Sequence, residues 1–366
     1  MTPTLRAATS PGEVRIALTA ADGALLDYAL WRPGAPDGVG DGHGGRVIAR
    51  VPAMAGVFVA LASGVEGFLP DTAGGAGLDV GALIAVRITR AAQGGKGPRL
   101  AMLRPAPAGL TRVGLLHPGP TPLAELATSH AEAPVMVDDP ALAAALRAAF
   151  GARVERVAAA FDAATEDQVA ALAEPVVVFA NGARAQFHPT PALTAIDLDA
   201  GAATAERGGK TAAQAALNRA LMPALARQIR LRNLSGAILI DFAGMKARHR
   251  ASLTPMLAAA LAEDPLKPRL LGFTALGFAE ILRPRIRPPL HELLRGPHAA
   301  GLAALRGLLA DMAQAPGRAP RLIASPAVVA ALEADRAAGE DFTRRTGHVL
   351  ALSSDPGLPP EGWRMG

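Results

Sequence analysis

Short apolar runs broken by glycine dominate the first third of the chain. Residues 14–19 and 25–31 read as two strands around Asp22-Gly23, a dipeptide that favours a tight hairpin turn. Residues 33–45 are rich in Gly and Pro and predict a linker. Beyond them, 46–50, 57–61 and 83–89 read as strands separated by Gly-rich turns. Several short strands with such turns suit a small barrel, of which the oligonucleotide-binding (OB) fold is one kind.

The pattern then changes. A strand at 133–137 precedes Asp138-Asp139-Pro140, where an Asp cap and a first-turn Pro start a helix over 141–150. A strand at 153–158 and a helix near 166–171 continue an α/β alternation. From residue 176 the spacing predicts three strands, with Asn181-Gly182 turning the first into the second and the third covering 193–198. A helix over 211–230 carries an apolar stripe through Ala212, Ala216, Leu221 and Leu225, and Pro223 within it predicts a kink or a break. Residues 235–240 form a largely apolar strand ending at Asp241, followed by a helix at 252–263 and strands at 269–273 and 278–283. The remainder predicts a helix at 301–312, a strand at 322–324, a helix over 326–337 capped by Ser325, a strand at 348–352, and a loose tail from Ser353.

Composition narrows the classes. Half of the 366 residues are hydrophobic, so the chain is not disordered, yet aromatics are only 4 %, so aliphatic and alanine side chains must fill the interiors. Cysteine is absent, which excludes disulfides, thiol nucleophiles and Cys-ligated metal. The net charge of +5 suits a polyanionic partner. The longest uncharged apolar-looking run, 51–65, is too short to span a bilayer, and residues 1–10 carry no secretory signal pattern. A cytoplasmic protein without a membrane partner is the expectation.

Candidate chemistry gathers late in the chain. Asp197 and Asp199 are two apart on a strand and share one face, while Ile196 and Leu198 point the other way. A strand–helix–strand repeat sets the strand of Asp197 beside that of Asp241, so both carboxylates fall near carboxyl ends. Such a pair can hold a hard divalent ion such as Mg²⁺. The alternative is structural: Asp241 caps a loop and Asp197 pairs with Arg207. Arg207, Lys210, Arg230, Arg232, Lys246, Arg248, Arg250, Arg269, Arg283, Arg285 and Arg287 surround these acids in sequence and, with His249, suit a phosphodiester backbone, or else a solvated charged face. In the barrel, Phe58 and Phe68 offer stacking platforms and Lys96 and Arg99 offer phosphate contacts, unless the two rings belong to the core. Asp138 and Asp139 read as helix caps rather than as catalysts.

These stretches resemble, in order, the ribonuclease E/G family of endoribonucleases. GRVIARVPAMAGVFVALASGVEGFLPD and GKGPRL resemble its inserted OB-fold. LTAIDLDAG followed by RGG resembles its first aspartate motif, RQIRLRNLSGAILIDFAGM its second, GFAEILRPRIRPPL its Arg-x-Arg segment, and RLIASPAVVAALEAD its small domain. The resemblance implies an α+β and α/β multidomain protein. Its parts are amino-terminal strands of an RNase H-like segment (1–40), an OB-fold (41–106), the shortened remainder of that segment (107–174), a DNase I-like catalytic domain (175–292), and a linker with a small α/β domain (293–366). It implies Asp197 and Asp241 as ligands of Mg²⁺, with Mn²⁺ as a substitute, and Asp199 at the position of a family Asn that positions water or phosphate. It also implies RNA contacts at Phe58, Phe68 and Lys96, and hydrolysis leaving a 5′-phosphate and a 3′-hydroxyl in RNA maturation or decay.

The departures are as specific. Asp199 replaces the usual Asn and cannot donate a hydrogen bond when ionised. Gly244 replaces a second acid. The family's Cys-Pro-x-Cys zinc link falls on LHELLRGPHAAG, where only His291 and His298 remain, so neither zinc nor a zinc-linked assembly is expected, although a homodimer stays open. Thr111-Arg112 does not complete the pattern that senses a 5′-monophosphate, so weak or no 5′-end sensing is expected. An RNA-binding protein of the same fold with weak or lost nuclease activity is the second reading.

Overall fold

The computed structural model describes all residues except 1, 106–108, 201–209, 243 and 315–319, and gives backbone alone for 63 and 210–213. The chain divides into two compact units, residues 1–165 with 291–366 and residues 166–290.

The first unit opens with the antiparallel strands β1 (Thr4–Ser10), β2 (Glu13–Thr19) and β3 (Leu25–Trp31). Gly23 turns the second hairpin with φ +84°, as its dipeptide predicts. β1 escapes the sequence reading because alanine and threonine dilute its alternation, although Leu5 and Ala7 are fully buried.

Next come β4 (Gly42–Val51), β5 (Gly56–Ala60), β6 (Glu66–Pro70), β7 (Leu83–Arg90) and β8 (Arg99–Met102). β4 pairs with β5, β5 with β6, β6 in parallel with β8, β8 with β7, and β7 with β4. The sheet therefore closes into a five-strand, OB-like barrel, which removes free edges. A further strand, β9 (Gly114–His117), adds to β4. The barrel core is wholly aliphatic: Val47, Val57, Val59, Leu61, Leu69, Ile84, Val86, Ile88 and Leu100. At about 1.5–3 kcal/mol per buried aliphatic side chain, these can hold a small barrel without an aromatic.

After the barrel the chain returns to the first sheet through α1 (Pro122–Ser129), β10 (Val135–Val137), α2 (Pro140–Phe150) and β11 (Val154–Arg156). The resulting order is β11-β10-β1-β2-β3. Asp139 caps α2 by accepting from the Leu142 N–H at 2.8 Å, and Asp138 accepts from the backbone and hydroxyl of Thr9. Both acids are structural, as read from the sequence. The helix α3 (Ala163–Ala170) follows.

The second unit is a six-stranded sheet with helices. It contains β12 (Val176–Val178), β13 (Arg184–Pro189), β14 (Leu193–Asp199), α4 (Lys210–Leu231), β15 (Gly236–Asp241), α5 (Ala247–Arg250), α6 (Thr254–Ala262), β16 (Arg269–Phe273) and β17 (Ala279–Arg283). The order is β12-β13-β14-β15-β17-β16, and only β14 and β15 run parallel. One face packs against α4 and α6 through Phe187, Ile196, Leu198, Met222, Leu225, Ile229, Ile238, Ile240 and Leu257. α4 runs unbroken through Pro223, which is exposed, so the carbonyl freed one turn earlier meets water instead of forcing a break. The buried stripe is Ala215, Leu221, Met222, Leu225 and Ile229. Ala216, read as part of it, is exposed, and the side chain of Ala212 lies outside the described residues.

The rest of the chain supplies α7 (Leu290–Leu293), α8 (Pro297–Gln314), β18 (Arg321–Ala324), α9 (Pro326–Ala334), α10 (Arg336–Thr346), β19 (Ala351–Ser354) and β20 (Trp363–Met365). Ser325 caps α9 as expected, but the predicted 326–337 helix stops at Asp335, whose side chain caps a new helix by accepting from the Ala338 N–H. The tail is not loose. β20 pairs antiparallel with β18, and Trp363 and Met365 pack on the local core. Among the described residues no helix is long and apolar enough to cross a membrane.

Candidate active site

β14 and β15 lie side by side in parallel, and their register pairs Ile196 with Ile240 and Asp197 with Asp241. Register partners in adjacent strands share a face. The two isoleucines are buried under the helices, which turns both aspartates to the opposite, open face at the carboxyl ends of their strands. Strand alternation, read from sequence, thus puts Asp197 and Asp199 on one exposed face, and the crossover through α4 brings Asp241 beside Asp197.

The same face extends across the sheet. Gln186 on β13 is the register partner of Asp197, and Arg184 that of Asp199. Arg184, Gln186, His188, Asp197 and Asp199 are all exposed. Beside Asp199, the position where the resembling family carries Asn, the sheet therefore sets a cation.

Asp241 is anchored. Nη1 of Arg250 donates to its Oδ1 at 2.5 Å, and the guanidinium also donates from Nε to the Met245 carbonyl (2.8 Å) and from Nη1 to the Gly277 carbonyl (3.1 Å). The Arg250 side chain is 12 % exposed and that of Asp241 40 %. The sequence offers Arg250 only as one of many bases for a phosphate backbone, because Lys246, Arg248, His249 and Arg250 form one basic run and nothing in the run marks which member folds back. Burial separates them: Lys246 and Arg248 are exposed, and Arg248 donates from Nε to Nε2 of His249 at 3.2 Å. Arg248 and His249 both lie on the short α5 with Arg250, next in the chain to the carboxylate end.

Three other basic residues fall elsewhere. Arg283 is 3 % exposed and donates to both oxygens of Asp264, to Oδ1 of Asn233 and to the Leu234 carbonyl. Read from the sequence as an RNA contact, it is here enclosed in the protein, because a buried guanidinium needs its donors satisfied. Arg285 lies with its guanidinium against Gly236, where φ is +81° and any Cβ would collide with it. Arg283 and Arg285 therefore sit at the amino end of β15, five residues from Asp241, or about 16 Å at the strand rise. Arg269, exposed on β16, aligns with Leu282 toward that same end. Arg207 lies outside the described residues, as does the side chain of Lys210.

Gly244 adopts φ +62°, and the amide of Gln214 occupies the space that a Cβ there would need. The acid of the resembling motif is thus replaced by a left-handed turn filled from α4.

In the barrel, Phe58 and Phe68 alternate with the core residues Val57, Val59 and Leu69 and so lie on the outer surface, half exposed. They are register partners, with ring centroids 5.5 Å apart and planes at 61°. The Phe68 ring covers Gly56, where a Cβ would strike it. Exposed Arg99 is the register partner of Phe68, and exposed Lys96 sits in the turn before β8. The core alternative for the two rings does not hold.

Comparison with known proteins meets this region. The model of the ribonuclease E/G family matches residues 140–286. Ribonuclease G of Escherichia coli K12 is 34 % identical over 130 residues, covering 35 % of this chain and 26 % of that protein. Ribonuclease E of the same strain is 35 % identical over 130 residues, 12 % of its length, and Ribonuclease E of a Nostoc species is 33 % identical over 123 residues, 18 % of its length. The match thus spans about a quarter or less of each relative. Both aspartates, Arg250 and the Arg283 cluster fall inside the matched residues, so it is over 140–286 that the chain is similar to the ribonuclease E/G family.

Proposed function

We propose that this protein is a divalent-cation-dependent endoribonuclease acting on single-stranded RNA. The observation that carries the reading is the register pair Asp197, exposed, and Asp241, half-buried, on one face at the carboxyl ends of adjacent parallel strands. The residues suit a hard cation. Two carboxylates with room for water and substrate oxygens are what Mg²⁺ uses at phosphate-handling sites, and among the described residues no group of three or more His, Asp or Glu forms a closed cage, here or elsewhere. When bound, such an ion supplies Lewis acidity and offsets charge on a phosphodiester.

The chain's own residues do the rest. Asp197 and Asp241 hold the cation position on a rigid sheet, and Arg250 keeps Asp241 in place. Arg248 and His249 contact phosphate oxygens from α5. In the barrel, Phe58 and Phe68 stack bases while Arg99 and Lys96 meet the backbone. Hydrolysis leaves a 5′-phosphate and a 3′-hydroxyl.

Asp199 and Gly244 favour the second reading, an RNA-binding protein with weak or lost cleavage, because one adds charge and the other removes an acid beside the pair. One experiment separates the two. A 5′-labelled single-stranded RNA is incubated with the protein, with and without Mg²⁺, beside Asp197→Asn and Asp241→Asn. Cleavage that requires Mg²⁺ and falls on the order of 10³-fold in either variant, about 4 kcal/mol of transition-state stabilisation, supports the nuclease. RNA binding with no cleavage above background selects the binder.

A further inference from the structure

We propose that Arg250 is the positioning residue of the carboxylate pair, a fixed guanidinium on which Asp241 docks so that one oxygen is held and the other is left for a divalent cation. The inference rests on the nuclease reading of Asp197 and Asp241.

The geometry distinguishes Arg250 from a mobile counterion. Two of its hydrogen bonds go to backbone carbonyls, Met245 in the segment after β15 and Gly277 in the turn before β17. That turn is itself closed by the Gly277 N–H donating to the Thr274 carbonyl and the Thr274 N–H donating to the Phe278 carbonyl. Gly277 has φ +93°, and a Cβ there would press on Ala247 and on Cδ of Arg250. The arginine stem is thus packed against a position that only glycine fits well. The guanidinium is placed by backbone from two loops, and Asp241 accepts the other hydrogen bond of the same Nη1 that serves Gly277. Lys246 and Arg248 are both exposed, and Arg248 bonds only the neighbouring His249 ring among the described residues.

The arrangement answers a physical problem. Two carboxylates paired in register on neighbouring strands repel each other without a cation between them. Left free, the Asp241 side chain would rotate away from Asp197, and each binding event would have to reorder it. A bond from a fixed donor removes that freedom, and partners of metal-binding carboxylates commonly act in this way. A guanidinium also carries a cost, since its charge opposes an incoming cation. The sign of the net effect on cation affinity therefore tests the assignment.

The full-length protein would be titrated with Mn²⁺, reading free ion by electron paramagnetic resonance in the absence of RNA, for the wild type, Arg250→Lys, Arg250→Gln and Asp241→Asn. Lys keeps the charge and the stem but cannot satisfy all three acceptors; Gln removes the charge. The expected result is Mn²⁺ affinity about 10-fold weaker in Arg250→Lys and toward 100-fold weaker in Arg250→Gln, with RNA affinity in the absence of divalent ions unchanged. A denaturant midpoint establishes that each variant is folded, and Arg250→Lys alone decides the matter should Arg250→Gln fail to fold. Unchanged or tighter Mn²⁺ binding in folded Arg250→Lys overturns the role, because the residue would then be a competing charge and not a positioner. Retained Mn²⁺ binding in Asp241→Asn would sink the nuclease reading itself, whereas loss there with normal binding in Arg250→Lys sinks only the role of Arg250.

Discussion

The two ends of β15 are built in opposite ways. At its amino end, Arg232, Asn233, Arg283 and Asp264 are interlocked: Arg283 and Asp264 are 3 % and 5 % exposed, and Arg232 donates to the carbonyls of Ala171, Leu172 and Glu174 while stacking on Phe187 at 4.6 Å. Asn233, with φ +46°, donates to the Arg287 and Pro288 carbonyls. At the carboxyl end, two acids face the open side of the sheet with one fixed arginine between Asp241 and the loops. The first end satisfies its charges internally and the second leaves charge for a ligand. The segment RQIRLRNLSGAILIDF, the most specific stretch of the sequence, joins the two. Arg232 and Asn233 within it are scaffold, and the chemistry proposed above lies at the last aspartate of its strand.

This contrast can be broken by substitution. Arg283→Met leaves Asp264 buried and unpaired, so a loss of about 3–5 kcal/mol in urea denaturation is expected, and the double variant with Asp264→Leu should recover much of it. A loss below about 1 kcal/mol would mean that the clamp is ornamental. Arg232→Ala strips donors from three carbonyls, that of Leu172 buried, so about 1–3 kcal/mol is expected by the same measurement. Burial lowers the Arg232 pKa to about 10, with the nearby Glu174 charge opposing the shift, so Arg232 stays charged through the neutral range and the clamp end should not respond to pH there.

The barrel supplies a titrating counterpart. Burial pulls the His43 pKa below 6.5, against the pull of Asp41 and with help from His117. A histidine with a lowered folded pKa contributes fully above its unfolded value, and that contribution is lost as pH falls through the folded one. Barrel stability should therefore decline on acidification below about 6.5, and His43→Gln should flatten that decline in thermal melts followed by barrel-specific probes. An equally steep decline in the variant would assign the effect to other groups.

The smallest effect sharpens the comparison most. Asp197→Asn removes a like-charge neighbour of Asp241 and should raise stability by about 0.2–1 kcal/mol while cleavage is lost. Destabilisation instead would place Asp197 in the scaffold, with the acids of the other end.

Parts of this were legible before any fold was known. Alternation along 193–199 fixed the shared face of Asp197 and Asp199, and the apolar run before Asp241 marked a buried strand with an acid at its end. The Asp139-Pro140 and Ser325 caps were readable because their hydrogen bonds are local. Less legible were the strands that depend on distant partners. β1 carries weak propensity and β20 emerges from a Pro- and Gly-rich tail, and each is defined by the strand it pairs with. Arginines were the least legible of all, since a run such as Lys246 to Arg250 looks the same whether its members face water, a carbonyl or a carboxylate.

The sequence by itself determined that this chain is an aliphatic-cored α/β protein with a small barrel, with two aspartates ending apolar strands, no cysteine chemistry and a positive balance suited to RNA. These follow from periodicity, composition and short-range turn and cap chemistry, which need no distant partner. Only the tertiary structure decided that Asp197 stands in register with Asp241, that Arg250 bonds Asp241, that Phe58 and Phe68 lie on the outer side of the barrel, and that Arg283 is walled in. Each of those depends on which strand lies beside which and on what is left to satisfy a charge once water is excluded.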